Sequence, residues 1–144
     1  MSKLDIACAC GRIRRASRAL TRLYDAALDG AGLTTTQFSI LRSLARLDGA
    51  SVTELAAAMG HERSGLTRLL RPLADAGYVQ MGSGVDQRSH GLRITDAGRG
   101  AIARALPGWE AMQARVETCL GTEDRAALFD LLERIEAIDA KAAA

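Results

Sequence analysis

The chain has 144 residues, a formal net charge of +2, 48% apolar residues and only two prolines, which is enough for one core-bearing domain or oligomer subunit and too apolar for a disordered chain. Its charge is uneven: the first 24 residues hold six Lys/Arg against one acid, and from Trp109 onward acids outnumber bases eight to four, so one part of the chain is suited to phosphate and another is not. No stretch approaches the roughly 18–20 apolar residues of a membrane span, Met1 to Cys10 is too polar for a signal peptide, and three cysteines do not make a disulfide framework, so a cytoplasmic chain with reduced thiols is expected.

In chain order, Cys10, Ile13, Ser17, Leu20, Tyr24, Ala27 and Leu28 recur at spacings of three and four. That predicts a long amphipathic helix ending near Asp29-Gly30-Ala31-Gly32. Thr34-Thr35-Thr36-Gln37 reads as a capping box opening a second helix. Phe38, Leu41, Leu44 and Leu47 line its core side, and Asp48-Gly49 stops it. Ser51-Val52-Thr53-Glu54 is another capping box, and Val52, Leu55, Ala56 and Met59 give the third helix one apolar face. Met59-Gly60 is a tight turn.

The fourth helix carries Glu62-Arg63-Ser64-Gly65-Leu66-Thr67-Arg68-Leu69-Leu70-Arg71. Leu66, Leu69, Leu70 and Leu73 point inward on this spacing, leaving Arg63, Ser64, Thr67, Arg68 and Arg71 outside. Small residues at Ser64 and Gly65 permit close approach to a groove wall, and arginines at helical spacing reach phosphates and base edges. Tyr78-Val79-Gln80-Met81 and Gly91-Leu92-Arg93-Ile94 read as two strands of a hairpin with the polar tip Val85-Asp86-Gln87-Arg88-Ser89. Arg88, aimed by Asp86, suits a narrow minor groove. Two helices followed by a hairpin, in this order, make a DNA reader, with Ser51 and Thr53 at its edge.

Thr95-Asp96 opens a fifth helix with the stripe Ala105, Trp109, Met112, Val116 and Leu120; Pro107-Gly108 predicts a kink or short break within it. Gly121-Thr122 separates a last helix whose stripe is Leu128, Leu131, Leu132, Ile135 and Ile138. The first and the last two helices are not needed to build the reader, so their stripes call for a two-fold partner. The fold class is mainly α with a small β-hairpin wing: a winged helix-turn-helix core over residues 34–95, with dimerisation helices over 5–30 and 96–140 in a single 144-residue subunit.

Taken together, the chain resembles the MarR family of winged helix-turn-helix transcriptional regulators. The match rests on Gly32-Leu33-Thr34 with Gln37-Phe38, Ser51 to Ala56, Glu62 to Arg68, Leu73 with Ala76-Gly77-Tyr78-Val79, Asp86-Gln87-Arg88, and Leu92 to Gly98. The resemblance implies a homodimer with recognition helices in major grooves and wings in minor grooves of a pseudo-palindromic double-stranded operator. It also implies a repressor relieved by a small-molecule effector or by thiol oxidation, with no cofactor. Gly65 departs from the family, which more often has a β-branched residue there. Pro72 lies inside the fourth helix, which is expected to continue to about Ala76.

Two routes to a signal stay open. Cys10 of Cys8-Ala9-Cys10 lies near a helix N-terminus with Arg12, Arg14 and Arg15 close by, which favours a thiolate. The family's organic-hydroperoxide sensors pair such a cysteine with a tyrosine at the spacing of Tyr24, but their second tyrosine is replaced here by Thr34, Thr35 and Thr36. The alternative is that Cys10 is a small apolar residue on the dimer stripe, and Cys119 reads as helix packing. Arg14, Arg18 and Arg22 form a row that suits a solvated face or an anionic or aromatic effector, and Trp109 reads as core or pocket lining. Cys8 and Cys10 without a nearby histidine do not complete a metal set, and His61 and His90 read as phosphate or solvent contacts. An enzyme is not expected: there is no acid–base pair, no nucleophile with a His partner and no phosphate loop.

Overall fold

The computed structural model describes residues 8–47, 49–82 and 91–142. Helix α1 spans Ala9–Leu28 and runs into a 3₁₀ turn at Asp29–Ala31, which ends on Gly32 in the left-handed region. Helix α2 is Thr35–Leu47, α3 is Val52–Met59 and α4 is Arg63–Asp75. Strands β1 (Val79–Met81) and β2 (Leu92–Ile94) pair antiparallel, with Val79 opposite Ile94, Gln80 opposite Arg93 and Met81 opposite Leu92. Helix α5 covers Asp96–Leu120 and α6 covers Thr122–Ala142. The chain divides into two compact units, Met1–Trp109 and Glu110–Ala144. The fold is that of a winged helix-turn-helix, mostly helical with a two-strand hairpin.

The capping chemistry holds where the sequence puts it. The Gln37 side chain accepts from the Thr34 N–H at 3.0 Å, and the Thr34 hydroxyl accepts from the Gln37 N–H at 3.2 Å, closing a reciprocal box. Asp25 ties α1 to this start: its Oδ1 accepts from both the backbone N–H and the hydroxyl of Thr35, each at 2.7 Å. Helix α2 is the centre of the first unit and packs against α3, α4 and β2. Being enclosed, it buries Phe38, Ile40, Leu41 and Leu44. Ile40 lies off the expected stripe, and Leu47, expected in the core, is 43% exposed at the end of the helix.

The core of this unit is completed by Leu28, Leu33, Leu55, Leu66, Leu70, Leu73, Val79 and Leu92, with Ala101 and Ala105 from α5. Close backbone approaches fix α5. A Cβ on Gly98 would lie 2.3 Å from the Tyr78 carbonyl oxygen, and one on Gly108 would lie 2.2 Å from that of Ala27. Of the kink or short break expected at Pro107-Gly108, the break is absent: α5 stays helical throughout. Pro107 removes one backbone donor, while glycine beside it lets the end of α1 press on the helix backbone. In the second unit, α6 carries Leu128, Phe129, Leu131, Ile135 and Ile138 at 38–68% exposure. No helix among the described residues is long and apolar enough to cross a membrane.

Candidate nucleic-acid interface

The third and fourth helices meet through local chemistry. The Ser51 hydroxyl accepts from the Glu54 N–H at 3.1 Å, and the Glu54 carboxylate accepts from the Ser51 N–H at 2.7 Å. The Ser51 backbone N–H, and then its hydroxyl, hold the Glu54 carboxyl below its ordinary pKa. Gly60 ends α3 at φ 66°, a left-handed conformation that glycine adopts without a Cβ penalty. The N–H of His61 then returns to the Ala56 carbonyl at 2.9 Å, and α4 begins three residues after Gly60.

On α4 the two faces separate cleanly. Leu66, Leu70 and Leu73 are buried and Leu69 is half-buried, while Arg63, Ser64, Thr67, Arg68 and Arg71 are exposed. Gly65 is half-buried with nothing within 4 Å of a Cβ built on it. The Thr67 hydroxyl donates to the Arg63 carbonyl at 2.9 Å, which leaves its oxygen free to accept but not to donate. Pro72 does not end the helix: its ring is exposed and α4 continues to Asp75. A cleft of about 460 Å³ is lined by Ser51, Val52, Thr53, Arg63, Met81, Gly82 and Leu92. It brings Ser51 and Thr53, at the start of α3, to Arg63 and the ends of both strands. Arg68 and Arg71 lie along the exposed face of α4 beyond it. Arg88, Asp86 and His90 fall outside the described residues.

The hairpin base is clasped to the reader. The Thr95 hydroxyl donates to the Gly77 carbonyl at 2.6 Å and accepts from the Gly98 N–H at 3.1 Å, while the Thr95 N–H donates to the Tyr78 carbonyl at 3.0 Å. The Leu92 N–H also donates to the Ala50 carbonyl at 2.7 Å. The Thr95 side chain therefore joins the exit of α4 to the entry of α5, and its backbone N–H adds a tie to the start of β1.

The effector candidates lie elsewhere. Cys10, Arg14 and Arg18 are exposed on α1, and Tyr24 is half-buried. Cys8, Cys10 and Cys119 are all exposed, so the helix packing expected of Cys119 is not found among the described residues. Cys8 is the N-cap of α1, and its sulfur accepts from the Gly11 N–H at 3.5 Å. Trp109 is half-buried, 6.0 Å from the Phe38 ring. The Arg42 guanidinium lies over the Trp109 ring, 4.3 Å from its centroid. Arg42 was missed by sequence reasoning because nothing in local spacing links it to Trp109.

Comparison with known proteins places this architecture. The model of the MarR family matches residues 31–89. The DNA-bound crystal structure of the M. tuberculosis transcriptional regulator MosR is 38% identical, covers 91% of this chain and 98% of its own, and superposes with a TM-score of 0.78. The chain belongs to the MarR family. An HTH-type transcriptional regulator of Bacillus cereus is 28% identical over 104 residues, 72% of this chain and 69% of that one. The repressor CouR bound to p-coumaroyl-CoA is 25% identical, with a TM-score of 0.83 over 94% of this chain and 97% of its own. Like these MarR relatives, the chain is a DNA-binding transcriptional regulator, and its relatives are regulators rather than enzymes.

Proposed function

We propose that the chain is a homodimeric repressor that binds a pseudo-palindromic operator and is released by a small, anionic or aromatic effector. One observation carries the DNA assignment: α4 buries three leucines on one side and presents three arginines, a serine and a threonine on the other. In this reading residues 34–95 are the reader. Arg63, Ser64, Gly65, Thr67, Arg68 and Arg71 meet the major groove, Ser51 and Thr53 meet the backbone beside it, and Arg88 enters the minor groove. Residues 5–30 and 96–140 supply the dimer contacts, which the exposed apolar side chains of α6 support. Effector release is supported by the likeness to CouR, a repressor bound to p-coumaroyl-CoA. The test is fluorescence anisotropy with DNA from the intergenic region beside the gene. Arg68→Ala is expected to cost roughly 1–3 kcal/mol per half-site and relax sequence preference. Arg88→Ala is expected to weaken all sequences alike and flatten the salt slope by about one unit per subunit. Unchanged affinity in both variants would remove the assignment.

A second reading is favoured by the N-terminus of α1, where Cys8 caps the helix and Cys10 stands exposed beside it. Both cysteines lie at the start of α1, close in sequence to Arg12, Arg14 and Arg15. Oxidation by a hydroperoxide to a sulfenic acid would add polarity there. Under this reading peroxide releases operator DNA, dithiothreitol restores binding, and Cys10→Ser loses the response while keeping basal affinity. Peroxide-insensitive binding in the wild type would exclude it.

A further inference from the structure

We infer that the basic face of α1 is a binding site for a polyphosphate, an inorganic or nucleotide-borne chain of two or more phosphates, held by Arg12, Arg14, Arg15 and Arg18. These four arginines and Gly11 line a cleft of about 300 Å³. Arg22 continues the row. Arg14, Arg18 and Arg22 stand four residues apart, which spreads them over roughly 12 Å at the rise of a helix. All five arginines are exposed, and none is ion-paired among the described residues. The sole acid of α1, Asp25, is turned to α2 instead: its Oδ1 accepts from the N–H and the hydroxyl of Thr35.

A solvated helix face ordinarily interleaves both signs, as α6 does with six acids and three bases, because opposite charges at i,i+4 support the helix. Helix α1 does the reverse. Its first turn holds no acid, and Arg12 lies near the positive end of the helix dipole, where a cation is disfavoured. Arg14 with Arg18, and Arg18 with Arg22, are like-charge pairs at i,i+4 spacing and work against helix formation. A negative ligand on this face reverses each of these effects. Arginine at all five positions suits phosphate, because its planar fork meets two oxygens at once. The lining has no aromatic ring to stack a base and no side-chain acceptor to read a donor, so only negative oxygens are recognised. An exposed guanidinium gains little from one charge in water. Several together therefore favour closely spaced charges over a single carboxylate. Four of the five converge within about 9 Å of helix, which fits a short phosphate chain better than a nucleic-acid strand. This names a ligand class for the effector reading above; only its consequence for DNA rests on that reading, and the binding does not.

The full chain is titrated calorimetrically with inorganic pyrophosphate, ADP and orthophosphate in separate arms, in magnesium-free buffer at ionic strength held constant with chloride. Pyrophosphate and ADP are expected to bind saturably, roughly tenfold or more tighter than orthophosphate. Equal affinity in the first two arms identifies the phosphate chain alone as the ligand, and tighter binding of ADP identifies a nucleotide. Arg14→Gln with Arg18→Gln should weaken binding by roughly tenfold or more. Without ligand the same double variant should have a raised thermal midpoint, because like-charge repulsion is removed. Arg134→Gln on α6 should leave binding unchanged. If the double variant fails to fold, Arg15→Gln decides, with an expected loss of roughly threefold. No preference for a diphosphate over orthophosphate, or the same curve in the double variant, overturns the proposal. Binding kept in the double variant but lost in Arg68→Ala places the anion on the reader and overturns it too. Weaker duplex DNA binding by the ligand-free double variant makes the row a backbone contact, and its dissociation to a monomer in light scattering makes the row a subunit contact; either result overturns the proposal. Diphosphate binding that leaves operator affinity unchanged keeps the site and removes effector release through it.

Discussion

Leu66, Leu70 and Leu73 of α4 are at most 1% exposed, whereas Leu128, Leu131, Ile135 and Ile138 of α6 are at least 38% exposed. Both sets recur at helical spacing, and the sequence presents them in the same way. The difference lies in what surrounds each. The reader helix is enclosed by α2, α3 and β1, with the capped helix α3 before it and backbone ties at its exit. The second unit has no such cover of its own. A periodic stripe states that a helix has an apolar face; it does not state whether the same chain covers that face. Exposed apolar side chains grouped on one helix are the mark of a surface meant for a partner.

The largest test of this contrast replaces two residues of the exposed stripe. Leu131→Glu with Ile135→Glu should turn a dimer into a monomer by light scattering, while the far-UV helical signal survives. Burial of each such side chain is worth roughly 1.5–3 kcal/mol, counted twice in a two-fold interface. A dimer that persists at micromolar concentration would show that α6 does not form it, and the contrast would lose its meaning.

A smaller effect separates crowded from open glycines within the reader unit. Gly98→Ala places a methyl group 2.3 Å from the Tyr78 carbonyl oxygen, and should cost about 1–3 kcal/mol in urea unfolding. Gly65→Ala meets nothing within 4 Å, and should instead add up to about 1 kcal/mol of helix stability. If Gly65→Ala stabilises the protein but weakens operator binding, the missing side chain at Gly65 serves DNA approach. Equal stability changes at the two positions would contradict the packing described around α5.

The smallest effect is in the α3 cap. The Glu54 carboxyl is held below its ordinary pKa by the Ser51 backbone N–H and then by its hydroxyl, so the folded state binds that proton more weakly than the unfolded chain. Its contribution is fully present above the ordinary carboxylate range and is lost as pH falls through the lowered value. The thermal midpoint of wild type should therefore exceed that of Glu54→Ala at neutral pH, with the gap narrowing in acid. A gap independent of pH would mean that the charge of Glu54 takes no part in the cap.

The legible parts of the sequence were those whose chemistry is local. Ser51 with Glu54, Thr34 with Gln37, the left-handed Gly60 and the capping Thr95 each act within a few residues, and each fixes an element boundary. The exposed arginines of α4 were legible for the same reason, since helical spacing alone separates them from Leu66 and Leu70. Tertiary surroundings decided the rest. Ile40 is buried and Leu47 exposed because α2 is enclosed along its middle and open at its end. Pro107 does not break α5, where neighbouring Gly108 receives the end of α1. Cys10 and Cys119 are both exposed, although each falls on the apolar spacing of its helix or beside it. The stacking of Arg42 on Trp109 joins helices far apart in sequence, and no spacing rule encodes it.

The clasp at Thr95 has a consequence for how such a reader can diversify. Its hydroxyl and N–H close the chain onto Gly77 and Tyr78 before the hairpin begins, and three strand pairs close it again. The residues between Gly82 and Gly91 join two ends that are already fixed. The entropy of such a closure grows only logarithmically, so doubling the loop length costs only about 0.6 kcal/mol. Residues can be inserted, deleted or exchanged at the tip with little loss of fold stability, while α3 and α4 keep their geometry. The base is thereby separable from what it carries: the sequence between Gly82 and Gly91 can change without renegotiating the core.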